Sequence, residues 1–208
     1  MSKILITGIS GFVSSYLLEY FASTGRKYEI TGISREKVPS ADYPNLNIKT
    51  YHGDLIDASF VKSVIEASKP DYIIHLAAYS SVAYSWKHPV ESFRNNTNIF
   101  LNVIESVRLL NLPTKVLSIG SSEEYGIVKE KDLPIKETLS PNPINPYAIA
   151  RVSQEMLGKL YARDYNLDIV MTRSFNHFGP KQRADFVTSS FAKPVSYTHL
   201  TLPTKPSV

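Results

Sequence analysis

Short runs of Ile, Val and Leu alternate along the chain with longer stretches in which apolar residues recur every three or four positions, the pattern of strands and amphipathic helices taking turns in a parallel sheet. Strands are predicted at Lys3–Thr7, Glu29–Ile33, Ile48–His52, Tyr72–Leu76, Lys115–Ile119 and Asp168–Arg173. Little polar alternation breaks them, so they read as strands buried on both faces. Helices are predicted from Phe12 to about Ser23, Asp57 to Ser68, about Val90 to Leu110, and Pro146 to Tyr165. Gly25 follows the first, Asp57 offers an N-cap to the second, and Pro113 closes the passage after the third. In the third helix Ile99, Val103, Val107 and Leu110 share one face; in the fourth Val152, Met156 and Leu160 do. Both faces are expected to be buried. The predicted fold class is α/β, a doubly wound parallel sheet.

Composition narrows the class. At 208 residues, 43% hydrophobic and 20% charged, the chain has the make-up of one globular domain plus a remnant. No apolar run approaches the roughly 20 residues that span a bilayer. Met1 leads almost directly into the first strand, so neither a transmembrane helix nor a signal peptide is expected, and a cytoplasmic protein with no membrane partner is. There are no cysteines, and His52, His75, His88, His177 and His199 lack metal-ligand spacing, so no metal site is expected. The net charge is +4, of which Lys205 near the end supplies one unit. So small a surplus points away from nucleic acid.

The first strand ends in Thr7-Gly8-Ile9-Ser10-Gly11-Phe12-Val13-Ser14, and a helix follows at once. There, Gly8 and Gly11 allow a tight turn and close approach of backbone to a diphosphate, whose charge the helix N-terminus stabilises. Ser10, Phe12 and Val13 complete this candidate cradle; an ordinary βα turn is the plain alternative. Ser14 stands where a third glycine would ease helix–strand packing, at an expected modest penalty. The arrangement is Rossmann-like. At the end of the second strand stands Arg35 rather than an acidic residue, which favours NADP and leaves NAD possible. A solvated arginine is the alternative. After the third strand, Gly53-Asp54-Leu55 places Asp54 and Leu55 where an adenine would lie.

Taken together, Thr7-Gly8-x-x-Gly11-Phe12, Gly53-Asp54-Leu55, His75-Leu76-Ala77-Ala78, Asn96, Gly120-Ser121-Ser122-Glu123-Glu124-Tyr125-Gly126, Tyr147-x-x-x-Arg151 and Phe175-Asn176-His177-x-Gly179-Pro180 occur in register. Over about residues 3–193 the chain resembles the extended short-chain dehydrogenase/reductases, the NAD-dependent epimerase/dehydratase group. Within it, the Ser-Ser-Glu-Glu-Tyr-Gly and Ser-Phe-Asn-His-x-Gly-Pro strings look most like the GDP-4-keto-6-deoxymannose reductases and the GDP-mannose 4,6-dehydratases.

That resemblance implies hydride transfer at a sugar carbon, with a proton moving on the adjacent oxygen. It makes Tyr147 the expected proton shuttle. An isolated phenol, with a pKa near 10, is a poor base at neutral pH; a cation about 4 Å away stabilises a phenolate by roughly 4 kcal/mol at an effective dielectric of 20. The family places a lysine one helical turn after the tyrosine. Here it is Arg151, which keeps the charge but spreads it over a bulkier plane, so weaker tyrosine activation and weaker ribose contacts are expected. Ser121 is implied as the hydroxyl that bonds the reacting oxygen. Glu123 matches the dehydratases' base for the C5 proton, or is a solvated loop glutamate if the enzyme only reduces. Glu124 is expected to be structural and Tyr125 a pocket wall. The coenzyme contacts implied are Leu76, Ala77, Ala78 and His177; Ser80 and Val82 line the pocket, Asn96 supports the site, and Asn176 contacts the nucleotide-sugar pyrophosphate. His75 is set aside as a core histidine.

The resemblance implies a coenzyme domain over 1–180 and, at 181–194, the start of a smaller substrate domain, truncated. Residues 195–208 lack periodicity, and their Ser-Tyr-Thr-His-Leu-Thr-Leu-Pro-Thr-Lys string is similar to translated sequencing-adapter read-through. They are set aside as non-native, a native terminus being the alternative. The expected function is an NADP-dependent oxidoreductase reducing the 4-keto-6-deoxy sugar of a GDP-hexose, present as a fragment that binds dinucleotide and turns over sugar poorly. Two alternatives stay open: a GDP-mannose 4,6-dehydratase, a lyase working through Glu123, and a non-catalytic dinucleotide-binding sensor, for which Arg151 is the best argument. The family also implies a homodimer through the helices at 90–110 and 146–165; core packing within the monomer explains their apolar faces as well.

Overall fold

The computed structural model describes residues 1–36, 43, 45–184, 186 and 189–192; the segment 195–208 set aside above lies outside them. The chain divides into two compact units, Met1–Phe175 and Asn176–Val208. In the second, Gln182 Nε2 donates to His177 O at 3.0 Å and Ser189 Oγ to Gln182 Oε1 at 3.1 Å.

The first unit is built on a six-stranded sheet of β1 (Ser2–Thr7), β2 (Tyr28–Ser34), β3 (Asn47–His52), β4 (Tyr72–His75), β5 (Lys115–Ile119) and β6 (Ile169–Thr172), in the order β3-β2-β1-β4-β5-β6. Every pair is parallel. The helices are α1 (Phe12–Ser23), α2 (Ala58–Ser68), α3 (Val82–Lys87), α4 (Pro89–Leu109) and α5 (Pro146–Asp164). Strand order reverses between β1 and β4, and the crevice beyond the carboxyl ends of the strands at such a switch point is where an open α/β sheet holds its ligand.

Because side chains alternate across a strand, β1 feeds two cores. Leu5 joins Ile73 and Val116 against Val61 and Val64 of α2 and Phe100 and Val103 of α4, while Ile4 and Ile6 join Ile30 against Leu18 and Phe21 of α1. Each such side chain, fully buried, contributes about 1.5–3 kcal/mol. The helix starts follow local chemistry: Asp57 accepts from Ser59 N at 2.9 Å and Phe60 N at 3.1 Å, and Asn145, ahead of Pro146, accepts from Ala148 N at 2.8 Å.

Two expectations fail. β3 and β6 are not buried on both faces; as the outer strands of the sheet each has a single neighbour, and their side chains are exposed or half-buried. The Val152, Met156 and Leu160 stripe is not a core face either: Met156 is 66% and Leu160 42% exposed. α5 turns inward the face carrying Tyr147, Ala150, Arg151, Gln154 and Gly158, so its more polar side meets the interior. The α4 stripe, by contrast, is buried as its spacing predicts, with Leu110 half-buried at its end. The short helix α3, capped by Ser81 Oγ on Tyr84 N at 3.1 Å, has too few residues for periodicity to reveal it. Among the described residues, no helix is long and apolar enough to cross a membrane.

Candidate active site

β1 delivers Thr7 to the switch point and ties it to β4. Ala77 N donates to Thr7 Oγ1 at 3.2 Å, Leu76 N donates to Thr7 O at 3.3 Å, and Thr7 Oγ1 lies 2.9 Å from His75 Nδ1. The chain then turns at Gly8 with a φ of 71°, and Gly8 N and Ile9 N both donate to Ile33 O, at 2.9 and 3.3 Å. Ser14 is buried and donates its Oγ to Gly8 O at 2.8 Å, so the residue in the third glycine's place fastens helix to loop. α1 starts at a Gly11 N-cap with no side-chain cap bond and no acidic residue in its first turn. The amides of Phe12, Val13 and Ser14 therefore have no intrahelical acceptor, and no neighbouring carboxylate of the turn offsets the positive end of the helix dipole. Such an end stabilises an anion.

At the end of β2, Ser34 Oγ lies 2.8 Å from Ser10 Oγ. Arg35 is exposed yet held: its Nη1 donates to Tyr79 Oη at 2.9 Å and its guanidinium sits 5.3 Å over the Tyr79 ring. After β3, the exposed Asp54 accepts from Ile56 N at 3.0 Å, and Leu55 is buried in the core. Ser80 is exposed between β4 and α3, and Val82 opens α3.

Beyond β5, Ser121 caps a 3-10 turn at Ser122–Tyr125 in a capping box: Ser121 Oγ accepts from Glu123 N at 3.2 Å, and Glu124 Oε1 accepts from Ser121 N at 2.8 Å. Glu124 is thus structural, as expected. Burial pushes its carboxyl up to about 7, against the Ser121 N–H bond, which holds it down. Its neighbour Glu155 moves the other way, to about 2, because Arg173 donates to both its oxygens at 2.7 Å. Arg173 also lies 4.7 Å over the Tyr125 ring. Glu123 is half-buried and its Oε2 accepts from Asn145 Nδ2 at 2.8 Å, so the residue that caps α5 also orients the carboxylate.

α5 carries the buried pair Tyr147 and Arg151, with Arg151 Nε donating to Tyr147 Oη at 3.1 Å. Arg151 Nη1 donates to Gln154 Oε1 at 2.8 Å, and Gln154 Nε2 donates to Asn96 O on α4 at 2.6 Å. The Asn96 side chain in turn brackets the Tyr79 backbone, accepting from its N–H at 2.8 Å and donating to its carbonyl at 3.1 Å. Beneath this, His75 is buried, and burial, with the Arg151 charge adding to it, pushes its pKa down to about 3. The ring is neutral, and its Nε2 has no partner among the described residues.

Of the residues singled out from sequence, the structure joins Tyr147 to Arg151 directly, Asn96 to them through Gln154, and Ser121 to Glu123 within one turn. Gly8 packs against Ala77. Asn176 and His177 belong to the second unit. Sequence reading missed Tyr79, Asn145 and Gln154. The Asn-Pro start of α5 was a usable signal for Asn145; Gln154, three residues after Arg151 on the same helix, was a weaker one. Nothing local marks Tyr79.

A 3-2-1-4-5-6 parallel sheet, a glycine turn into α1, and a tyrosine with a basic residue one turn later on the helix after β5 together define a short-chain dehydrogenase/reductase of the extended, epimerase/dehydratase kind. The sequence profile of one family, described as GDP-mannose 4,6 dehydratase, matches residues 5–208, a span that includes the terminal segment. The chain belongs to that family. It is 32% identical over 206 residues to the GDP-mannose 4,6-dehydratase of Vibrio cholerae, covering 92% of this chain and 54% of the relative. It is 27% identical over 194 residues to the GDP-6-deoxy-D-mannose reductase of Pseudomonas aeruginosa, covering 93% and 58%. Among solved structures, RMD from Pseudomonas aeruginosa complexed with NADPH superposes with a TM-score of 0.80 at 28% identity, over 96% of this chain and 61% of that one. The chain thus spans little more than half the length of these relatives.

Proposed function

We propose that the chain is the coenzyme-binding portion of an NADP-dependent nucleotide-sugar oxidoreductase that reduces the 4-keto-6-deoxy sugar of a GDP-hexose. The observation that carries this reading is the buried Tyr147–Arg151 pair, with guanidinium Nε 3.1 Å from the phenol oxygen. The turn after β1 fits a dinucleotide diphosphate: any side chain at Gly8 would crowd the Ala77 backbone, and the α1 N-terminus is free of capping and acidic side chains. Gly8, Ser10, Gly11, Phe12 and Val13 would hold the diphosphate, Arg35 the 2′-phosphate, and Asp54 and Leu55 the adenine. Leu76, Ala77, Ala78, Tyr147 and Arg151 would hold the nicotinamide half. The coenzyme, when bound, supplies the hydride. Reduction of a ketone also needs a proton on oxygen, which Tyr147 Oη donates. Arg151 stabilises the resulting phenolate by its fixed charge, Ser121 donates a hydrogen bond to the reacting oxygen, and Ser80 and Val82 bind the nucleotide sugar. Calorimetric titration tests the reading: NADPH should bind at least about tenfold more tightly than NADH, and folded protein giving no heat with either would overturn it.

A specific contact favours a second reading. Asn145 Nδ2 holds Glu123 Oε2 at 2.8 Å, two residues from Ser121, as a base for a sugar C5 proton would need. In that reading the chain belongs to a GDP-mannose 4,6-dehydratase. Glu123→Gln in a full-length version discriminates: loss of solvent deuterium uptake at C5 supports the dehydratase, and unchanged ketone reduction supports the reductase.

The exposed apolar face supports a homodimer through the helices at 90–110 and 146–165. Pro89, Val90, Phe93, Pro146 and Ile149, with Arg94, line an open hollow of about 430 Å³, and Met156 and Leu160 extend the apolar surface along α5.

A further inference from the structure

The geometry points to Gln154 as the positioning residue that fits an arginine to position 151. Gln154 is 1% exposed, and both ends of its amide are used: Oε1 accepts from Arg151 Nη1 at 2.8 Å, and Nε2 donates to Asn96 O at 2.6 Å. An arginine side chain is long and loses much rotamer freedom when fixed, so a guanidinium left to itself has no reason to keep one nitrogen on a phenol. Here its planar fork is held at two points, Nε on Tyr147 Oη at 3.1 Å and Nη1 on Gln154. The second anchor is itself fixed to α4 at the residue whose side chain clamps Tyr79. The guanidinium is therefore oriented from two helices.

Arg151 and Gln154 form a matched pair. A lysine at 151 has one compact ammonium, which can reach the phenol but not reproduce the fork, and the Gln154 carbonyl oxygen would then stand unpaired in the interior. An apolar residue at 154 with Arg151 retained leaves the guanidinium without its second anchor. Each single change is costly, and the two together remove the conflict. This inference rests on the proposed reading only in so far as Arg151 serves the coenzyme; its positioning by Gln154 can be read without ligand.

The test uses the full chain labelled with ¹⁵N-arginine. The Arg151 Nε–H resonance, identified by its absence in Arg151→Lys and its displacement in Tyr147→Phe, should be protected from solvent exchange. In Gln154→Met, closest in length, exchange should accelerate at least about tenfold, and NADPH binding should weaken about tenfold. Arg151→Lys should weaken it comparably, and Arg151→Lys with Gln154→Met should be no weaker than the singles rather than about a hundredfold down. Gln154→Leu gives the same readout if the methionine variant does not fold. Unchanged Nε–H protection in a folded Gln154 variant, or additive losses in the double variant, overturns the inference. A parent chain that binds no coenzyme but loses protection on Gln154→Met sinks the coenzyme reading and sustains the positioning role.

Discussion

Replacing Gly8 with alanine probes the turn proposed to hold the coenzyme. Gly8 has a φ of 71°, and a Cβ built there falls 3.0 Å from both Cα and N of Ala77 and 3.3 Å from its Cβ. The left-handed backbone costs an L-residue about 1–2 kcal/mol. Relieving the overlap costs more, because Ala77 cannot retreat alone: its N–H is bonded to Thr7 Oγ1 at 3.2 Å, and Leu76 N to Thr7 O at 3.3 Å. Movement therefore passes into the loop, whose amides at Gly8 and Ile9 share Ile33 O. Gly25 is the control, with a φ of 66° and nothing within 4 Å of its Cβ. In urea unfolding, both variants should lose about 1–2 kcal/mol. Gly8→Ala should lose a further ~1–2 kcal/mol from crowding and bind NADPH about thirtyfold more weakly, the equivalent of ~2 kcal/mol. Gly25→Ala should bind as the parent does. Equal NADPH affinity in the two folded variants, measured by calorimetry, would refute the argument that the Gly8–Ala77 approach shapes the coenzyme turn.

Arg35→Ser should weaken NADPH by about tenfold or more while leaving NADH unchanged; equal losses for both would deny Arg35 a role at the 2′-phosphate. Glu124→Gln keeps an acceptor for Ser121 N–H but removes a buried ionisable group. Because the native carboxyl is raised to about 7, its stabilising contribution is full below the usual carboxylate range and lost as pH rises towards neutrality. The variant should therefore gain on the parent in urea midpoint between pH 5 and pH 8, and parallel midpoints would contradict this. Glu155 runs the opposite way, its contribution lost as pH falls towards about 2. Phe93→Glu, on the exposed apolar face, should shift a dimer to monomer by sedimentation without changing far-ultraviolet dichroism; an unchanged sedimentation coefficient at the dimer value would move the interface elsewhere.

Strand positions, the α1 turn and the α4 core stripe were legible because each rests on local spacing: short aliphatic runs, glycines three apart after one of them, or aliphatics at helical intervals. The Tyr147–Arg151 contact was legible for the same reason, four residues being one helical turn. The Met156 and Leu160 stripe misled because periodicity reveals that a helix has an apolar side but not which side meets the sheet. Tertiary pairing hid the rest. Tyr79 reaches Arg35 and Asn96 across long stretches of chain, and Gln154 gains its meaning only when α4 brings the Asn96 carbonyl to it. The plain core histidine predicted at 75 is buried as expected, but no spacing rule foretells that one of its nitrogens goes unmatched.

The cap on the turn after β5 gives Ser121 a built-in polarity. Its oxygen already receives the Glu123 amide at 3.2 Å, so one lone pair is engaged by its own loop, while its hydrogen is uncommitted there. A hydroxyl preset in this way gives a hydrogen bond more readily than it takes one, so in its proposed role at the reacting oxygen it would favour a sugar bearing C=O over one bearing C–OH. Threonine should preserve that bias where alanine forfeits both the donor and the loop's own fastening.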